Sequence, residues 1–433
     1  MRLAEEKIKQ GIWHTESYVR DVALSYFTAA FCEDRDVMPI ATEAMDRFGW
    51  DNAFSDLSEL QALPQSDESI TWIVDEIEKI GNPANSSELD YVTSLCWIAA
   101  EAEASLLKRR RQEFEGLGFF NAEAREVIGQ RTRLLSASPR SCWEEFEQCC
   151  VQLGAGPKAK PDSLAKAYQL LEVIARNPGP FAAPLLSALT DEVDPTQQLA
   201  RAWMRVCAIR GVGAMRLKEA ITPLVEILQG SQESWVYEDC VVALAQIGGD
   251  EVIKAVWNAC AVAPEHFTQY AAWILESVRQ DLSVESALHL LQQAEDLDSQ
   301  IGYSHSLLAN FAVDGIAPVR HLVLNHADVE DIVDLRRDLT AVCSLMEAEF
   351  PELDEWRQEF QSRKDASERW RIPEFPVEDT WSTQIVNHQS TDPTAPQRLP
   401  LSLPKKPRVK GVGRNQPCPC KSGKKYKNCC LQR

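Results

Sequence analysis

Between residues 220 and 261 the chain reads AITPLVEILQGSQESWVYEDCVVALAQIGGDEVIKAVWNACA. Apolar residues recur there at three- and four-residue steps, the pattern of amphipathic helices that each bury one face. Ile221, Leu224 and Leu228 return 32 residues later as Ile253, Val256 and Cys260, and 34 residues after that as Ala287, Leu290 and Ala294. A period of this size predicts stacked helix pairs, because one pair cannot bury its own apolar face. Gly248–Gly249 ends one helix, and Asp250 is placed to cap the next. The texture continues through HFTQYAAWILESV (266–278), SVESALHLLQQA (283–294) and IGYSHSLLANFAVDG (301–315). Near the start, ESYVRDVALSYF (16–27) echoes ESWVYEDCVVAL (233–244). Ser87 to Glu115 reads as one long helix, with Ser87 and Asp90 forming a capping-box-like start. No alternating apolar and polar run of useful length occurs, so the expected fold class is all-α.

Composition narrows the function classes. A chain of 433 residues with 45% hydrophobic content is long enough for an elongated repeat array with an appendage. MRLAEEKIKQ at the start does not read as a signal peptide, and no window approaches about 18 consecutive apolar residues. Nine of the 13 cysteines are scattered, mostly among apolar neighbours as in SLCWIAA, which reads as reduced core thiols and a cytoplasmic setting. Formal charge is −20, yet the ten Lys and Arg from Pro400 onward face no acidic residue. The remainder therefore carries −30, which argues against broad nucleic-acid binding by the body.

The segment from Leu217 to about Cys260 resembles a HEAT-type repeat of the phycobilisome-lyase-like subclass. That resemblance implies an α-solenoid with an extended partner-binding surface. On this reading residues 1–115 are degenerate helical repeats and 116–362 the HEAT-like solenoid. From 363 to 411 the character changes: seven prolines fall between Pro373 and Pro407, with no helical period. That density predicts an extended, flexible linker, on which Trp370 and Trp381 are the residues able to dock back.

Residues 412–433 form the remaining unit. GRNQPCPCKSGKKYKNCC (413–430) places Cys418, Cys420, Cys429 and Cys430 in a C-x-C-x8-C-C spacing. Four thiolates suit one structural zinc ion, bound tetrahedrally with no open position for water. About 20 residues cannot fold on apolar burial alone, so the metal would supply the folding energy. Lys421, Lys424, Lys425 and Lys427 offset the charge of a zinc tetrathiolate and lower the thiol pKa values. Two disulfides or four free thiols are the bland alternatives.

This segment closely resembles the SEC-C motif, N-x-P-C-P-C-G-S-G-x-K-[YF]-K-x-C-C/H, a zinc-binding tail first associated with the bacterial Sec translocation ATPase. Asn415, Pro417, Cys418, Pro419, Cys420, Ser422, Gly423, Lys425, Tyr426, Lys427, Cys429 and Cys430 match it. Lys421 stands where glycine is usual and would strain a positive-φ turn modestly. The resemblance implies zinc binding, docking of an export chaperone, and contact with anionic lipid headgroups or ribosomes.

Other candidates have structural readings. Cys142, Cys149 and Cys150 share a helix face without a further ligand cluster nearby, and read as buried thiols. His321 and His326 fit surface or capping roles near a helix end. Lys108-Arg109-Arg110-Arg111 reads as the C-terminal part of a long helix, opposing its dipole. Trp203, Trp257 and Trp273 read as core positions. No GxSxG, Walker loop or GxGxxG with an acidic partner is present.

Together these readings predict a non-enzymatic adaptor. Its solenoid would bind a protein partner, and its zinc knob would engage a chaperone, the translocation machinery or the ribosome through Lys424, Lys425 and Lys427. Two alternatives stand beside it. One is a nucleic-acid or ribosome-binding factor acting through the basic tail alone. The other, implied by the lyase-like repeats, is a bilin-lyase-like enzyme or enzyme partner.

Overall fold

The apolar steps at 221–228 become one buried helix face, with Leu224 and Leu228 at 0% exposure, and Ile253 and Val256 do the same in a later helix. Cys260, Leu290 and Ala294 sit at the margin of this core and are half-buried. The computed structural model describes residues 1–154, 161–190, 198–230, 234–261, 266–327 and 329–369. The zinc-knob residues, the proline-rich segment, Trp370 and Trp381 lie outside them. Among the described residues the secondary structure is helical, with no strand and a single bridge between Arg2 and Ala312.

The first helices are α1 (Glu5–Gly11), α2 (Ser17–Thr28), α3 (Val37–Phe48) and the one-turn α4 (Trp50–Ala53). After a 3-10 turn at Leu57–Ala62 come α5 (Asp67–Ile80), α6 (Ser86–Ala100), α7 (Ala104–Gly116) and α8 (Ala122–Leu134). The middle holds α9 (Pro139–Gly154), α10 (Pro161–Ala175), α11 (Ala182–Thr190) and α12 (Gln198–Ala214). Then follow α13 (Ile221–Gly230), α14 (Ser234–Ile247), α15 (Asp250–Cys260), α16 (Phe267–Ser277) and α17 (Asp281–Gln293). The last four are α18 (Leu297–Ala309), α19 (Ile316–Asn325), α20 (Glu330–Met346) and α21 (Leu353–Arg369).

From α12 onward the helices alternate between two rows. The row α12, α14, α16, α18 and α20 packs in sequence, and α13, α15 and α17 pack in sequence beside it. Small residues let the first row approach closely. A Cβ on Gly213 of α12 would meet Ala243 Cα of α14 at 2.7 Å, and one on Gly302 of α18 would meet Ala272 of α16 at 3.2 Å. The closeness lets side chains bond across: Ser306 Oγ donates to Ala272 O at 2.7 Å, and Asn310 Nδ2 donates to Leu275 O at 2.9 Å.

Three first-row helices, α12, α18 and α20, end in the same way. Arg216, Phe311 and Glu347 adopt left-handed φ values of 52°, 49° and 57°. The next residue's N–H then bonds five residues back: Leu217 to Val212 O, Ala312 to Leu307 O, and Ala348 to Cys343 O. This is the Schellman closure, made here without the usual glycine. Phe31 after α2 is also left-handed, at φ 49°. Proline stands third in the helix that follows three of these turns, at Pro39, Pro223 and Pro318, where a missing N–H costs nothing.

The row closes on itself. α2 packs on α20 and on the Leu57–Ala62 turn, which packs on α6; α6 packs on α8, α8 on α10, and α10 on α12. The echo between 16–27 and 233–244 has a structural counterpart: α2 and α14 both belong to this circuit and bury matching positions, Val19, Ala23, Leu24 and Phe27 against Val236, Cys240, Val241 and Leu244. At the closure Leu3 N donates to Phe311 O at 3.1 Å, and Lys7 pairs with Glu347 at 2.9 Å. One hydrophobic core runs from Ile8 to Trp356.

Five local expectations are corrected, the first being the start of the linker at 363, since α21 stays helical to Arg369. The stretch from Ser87 to Glu115 forms two helices, because the chain turns at Glu101–Glu103 with Ala99, Ala100 and Ala102 packed at 1% exposure or less. The Arg131 guanidinium takes the Ala100 carbonyl, so the break leaves that acceptor satisfied. The N-cap there is Asn85, whose side chain accepts from Glu88 N at 2.8 Å. Gly249, not Asp250, is the N-cap of α15, and Asp250 sits in its first turn. Trp203, Trp257 and Trp273 are half-buried at the margin of the core, since the buried lines of these helices are already filled by aliphatic residues.

Candidate functional site

The circuit brings ionisable side chains from distant segments onto one continuous face. On α18, His305 Nδ1 lies 3.4 Å from Asp338 Oδ2 of α20. Arg337, next in the chain, donates to Asp338 Oδ1 at 3.2 Å. Glu276 of α16 acts on His305 from one side, and Asp21 of α2 acts on Arg337 from the other. Beyond Asp21 lies Glu59, on the 3-10 turn, whose Oε2 accepts from Ser25 Oγ at 2.9 Å and Thr28 Oγ1 at 3.3 Å. The side chains of His305 and Asp338 keep 30% and 21% of their exposure, so the face is deep but open to solvent.

Burial and charge pull these groups in opposite directions. Desolvation raises the Glu59 carboxyl, which the neighbouring Asp21 and Asp56 push up further against the Ser25 and Thr28 hydrogen bonds, to about 7. Burial also raises Asp21 and Glu276 above the ordinary carboxylate range, despite Arg337 near the first and His305 near the second. For Asp338 burial is outweighed by His305 and Arg337, and its carboxyl is held low. For His305 burial opposes the charge, but Asp338, Glu276 and Asp334 prevail and raise the imidazole. The same construction recurs around the circuit. Arg210 of α12 donates to Asp239 of α14 at 2.9 Å over the Tyr168 ring, and Arg131 of α8 pairs with Glu172 of α10 at 2.9 Å. Chemically the face is a line of partly compensated carboxylates, able to hold protons or to meet cationic groups.

The candidates read from sequence fall elsewhere. Cys418, Cys420, Cys429, Cys430, Lys424, Lys425 and Lys427 lie outside the described residues. Cys142, Cys149 and Cys150 are buried in α9, and burial raises the Cys142 and Cys149 thiols. Cys150 meets Cys207 of α12, a pairing the sequence did not signal. Among the described residues no group of three or more His, Cys, Asp or Glu side chains could hold a metal ion. The basic run at 108–111 lies in the middle of α7 and its arginines are paired: Arg109 and Arg110 with Asp67, and Arg111 with Glu115. His321 is exposed beside Asn325, and His326 is the C-cap of α19. Asp21, Glu59, Glu276, His305 and Asp338 were not singled out by sequence reading. Four of them carried no signal beyond membership of amphipathic helices, and Glu59 lies on the 3-10 turn.

The comparison with known proteins concerns the tail. Residues 414–432 match the SEC-C motif. Two relatives share this segment: the protein translocase subunit SecA of Finegoldia magna, 78% identical over 27 residues, and that of Dichelobacter nodosus, 58% identical over 43 residues. These alignments cover 6% and 10% of this chain, and only 3% and 4% of the two translocase subunits. The SEC-C motif is therefore a shared appendage, and the helical body has no counterpart in those alignments. Within the motif Cys418, Cys420, Cys429 and Cys430 form an all-thiolate donor set, whose chemistry suits zinc. Among the described residues no helix is long and apolar enough to cross a membrane.

Proposed function

We propose that the protein is a non-enzymatic, cytoplasmic adaptor. The helical body acts as a HEAT-like solenoid that holds one protein partner, while the SEC-C motif, folded around one structural zinc ion, engages a second. The observation that carries this reading is the SEC-C match at 414–432, a segment shared with translocase subunits, on a chain whose described residues form a packed array of helices. Four thiolates would fill the coordination sphere of zinc, so the metal would build the knob rather than act on a substrate. A proline-rich tether between α21 and residue 411 would raise the effective concentration of the knob near whatever the body holds. The shared motif supports a partner from protein translocation, with a chaperone or the ribosome as the related possibilities. The carboxylate-lined face of the body supports a partner bearing cationic groups.

Affinity capture from a native lysate tests this, comparing the full chain with a chain ending at Gln397. The adaptor reading expects two sets of partners, one lost with the tail and one retained. Capture of nucleic acid alone, lost with the tail and falling steeply with salt, would replace it with the nucleic-acid reading.

A further inference from the structure

The deep charged face carries more carboxylate than its own cations pair. Along the arc from α16 to the Leu57–Ala62 turn stand Asp21, Asp56, Glu59, Glu276, Asp334 and Asp338. Set among them are the guanidiniums of Arg279 and Arg337 and the imidazole of His305. His305 and Arg337 both engage Asp338, and Arg20, beside Asp21, is spent on four backbone carbonyls. Glu59 has the hydroxyls of Ser25 and Thr28 as its hydrogen-bond partners, with no cation among them. Glu276 is set deep, and among the described residues neither a hydrogen bond nor an ion pair holds its carboxyl. A deep carboxylate without a cation is costly, so a cation brought to this face from elsewhere is favoured.

We propose that this face is the docking site of the chain's own basic tail, residues 400–433. Three features of the molecule converge on that occupant. The first is charge: the tail holds ten Lys and Arg and no acidic residue, against a remainder of −30. The second is origin, because α21, the helix from which the tail departs, packs on α20. Its Phe360 ring lies 5.8 Å from Tyr18 of α2, and its Glu359 pairs with Arg336 of α20 at 2.8 Å. The tail thus leaves from the joint between the two helices that supply Asp21, Asp334 and Asp338. The third is reach: residues 370–399 can span up to about 100 Å, so length does not restrict where the lysines land. Tethering also presents them to the face at an effective concentration of order millimolar. Lysines, as point charges on long stems, suit carboxylates at uneven spacing. With the tail docked, face and knob cover each other, and a partner for either has to displace the tail. Docking needs no partner, so it goes beyond the adaptor reading and can fail while that reading holds.

Zero-length carbodiimide cross-linking of the purified full chain at low salt tests the docking, since it joins a lysine amine to a carboxylate in direct contact. Lysines of the tail find no acidic side chain within 400–433. Peptide mass spectrometry should find Lys424, Lys425 and Lys427 joined to Asp21, Glu59, Glu276, Asp334 or Asp338. In a mixture of isotope-labelled and unlabelled chains, each joined pair should come from a single chain. The yield should fall about tenfold at high salt. Glu59→Gln/Glu276→Gln in the full chain, with its helical spectrum unchanged, should cut linking to Asp21 and Asp338 by about tenfold. Tail lysines joined evenly to exposed carboxylates such as Glu43, Glu68 and Glu285, or joined to none, would overturn the proposal. Joined pairs drawn only from two different chains would overturn it too, and give the face to the tail of a second copy. The position and isotope readings use the unaltered chain, so they decide even where the double variant misfolds.

Discussion

The guanidinium of Arg20 donates to the carbonyl of Ala53, 2.8 Å away and 33 residues along the chain. It also donates to His14 O at 2.7 Å, Thr15 O at 2.9 Å and Asn52 O at 2.5 Å, and it lies 4.1 Å from the Phe48 ring centroid. At 1% exposure this side chain is the joint between α2 and the α3–α4 segment. Its charge is met by carbonyl dipoles in a fork that only a planar guanidinium spans.

Arg20→Lys should therefore destabilise the chain despite conserving charge. Lysine has three donors from one nitrogen and leaves at least one buried carbonyl unpaired, a loss of about 2–3 kcal/mol. Arg20→Met, which leaves all four acceptors unpaired, should cost more. Denaturant titration followed by circular dichroism would read both. Equal stability of Arg20→Lys and the unaltered chain would show that the fork is dispensable.

Glycine substitutions test the close approach of the rows. Gly213→Ala would place its Cβ 2.7 Å from the backbone of Ala243, and backbone cannot step aside as a flexible side chain can. We expect destabilisation of about 1–3 kcal/mol. Gly230→Ala, at the end of α13 with nothing within 4 Å, should be neutral or slightly stabilising. Paired thermal melts of the two variants would check this. Similar melting shifts in both would mean that α12 and α14 can separate freely.

The contrast between these elements explains what the sequence disclosed. Helices with a full apolar face, such as α13 with Ile221, Leu224 and Leu228, were legible because periodicity alone specifies them. The echo between α2 and α14 was legible too. The break at Glu101–Glu103 was not, because Ala and Glu favour helix and only the distant Arg131 supplies the partner that ends it. The left-handed stops at Phe31, Arg216 and Phe311 were hidden by the absence of glycine. A proline seven or eight residues later, at Pro39, Pro223 and Pro318, was the available sign. The deep charged face was illegible for a different reason. Residues 21, 59, 276, 305 and 338 meet only after the circuit closes, and no local pattern encodes that closure. The SEC-C motif presents the opposite case, since its identity resides wholly in local spacing.

Zinc should follow the four cysteines. Purified full chain should carry about one zinc per molecule, and Cys420→Ser should lose most of it. A chain ending at Gln397 should carry none, because no metal-holding group of side chains occurs among the described residues of the body. Elemental analysis of the three proteins decides the matter. Stoichiometric zinc in the truncated chain would move the metal out of the SEC-C motif altogether.

Charge and shape of the knob should be separable. Lys424, Lys425 and Lys427 lie between the two cysteine pairs, in a tail whose ten basic residues contrast with an acidic remainder. Replacing the three lysines with glutamine leaves all four thiolates in place, so zinc content should hold while tail-dependent capture of an acidic partner weakens by about tenfold. Chelation does the reverse: every lysine remains, but the segment loses the metal that folds it. If recognition needs both, chelation should abolish the same capture that the lysine variant weakens. Capture that survives chelation yet vanishes with the lysines would reduce the tail to an unstructured polybasic segment, read by charge alone. Capture untouched by either change would remove the knob from recognition and leave partner binding to the helical body.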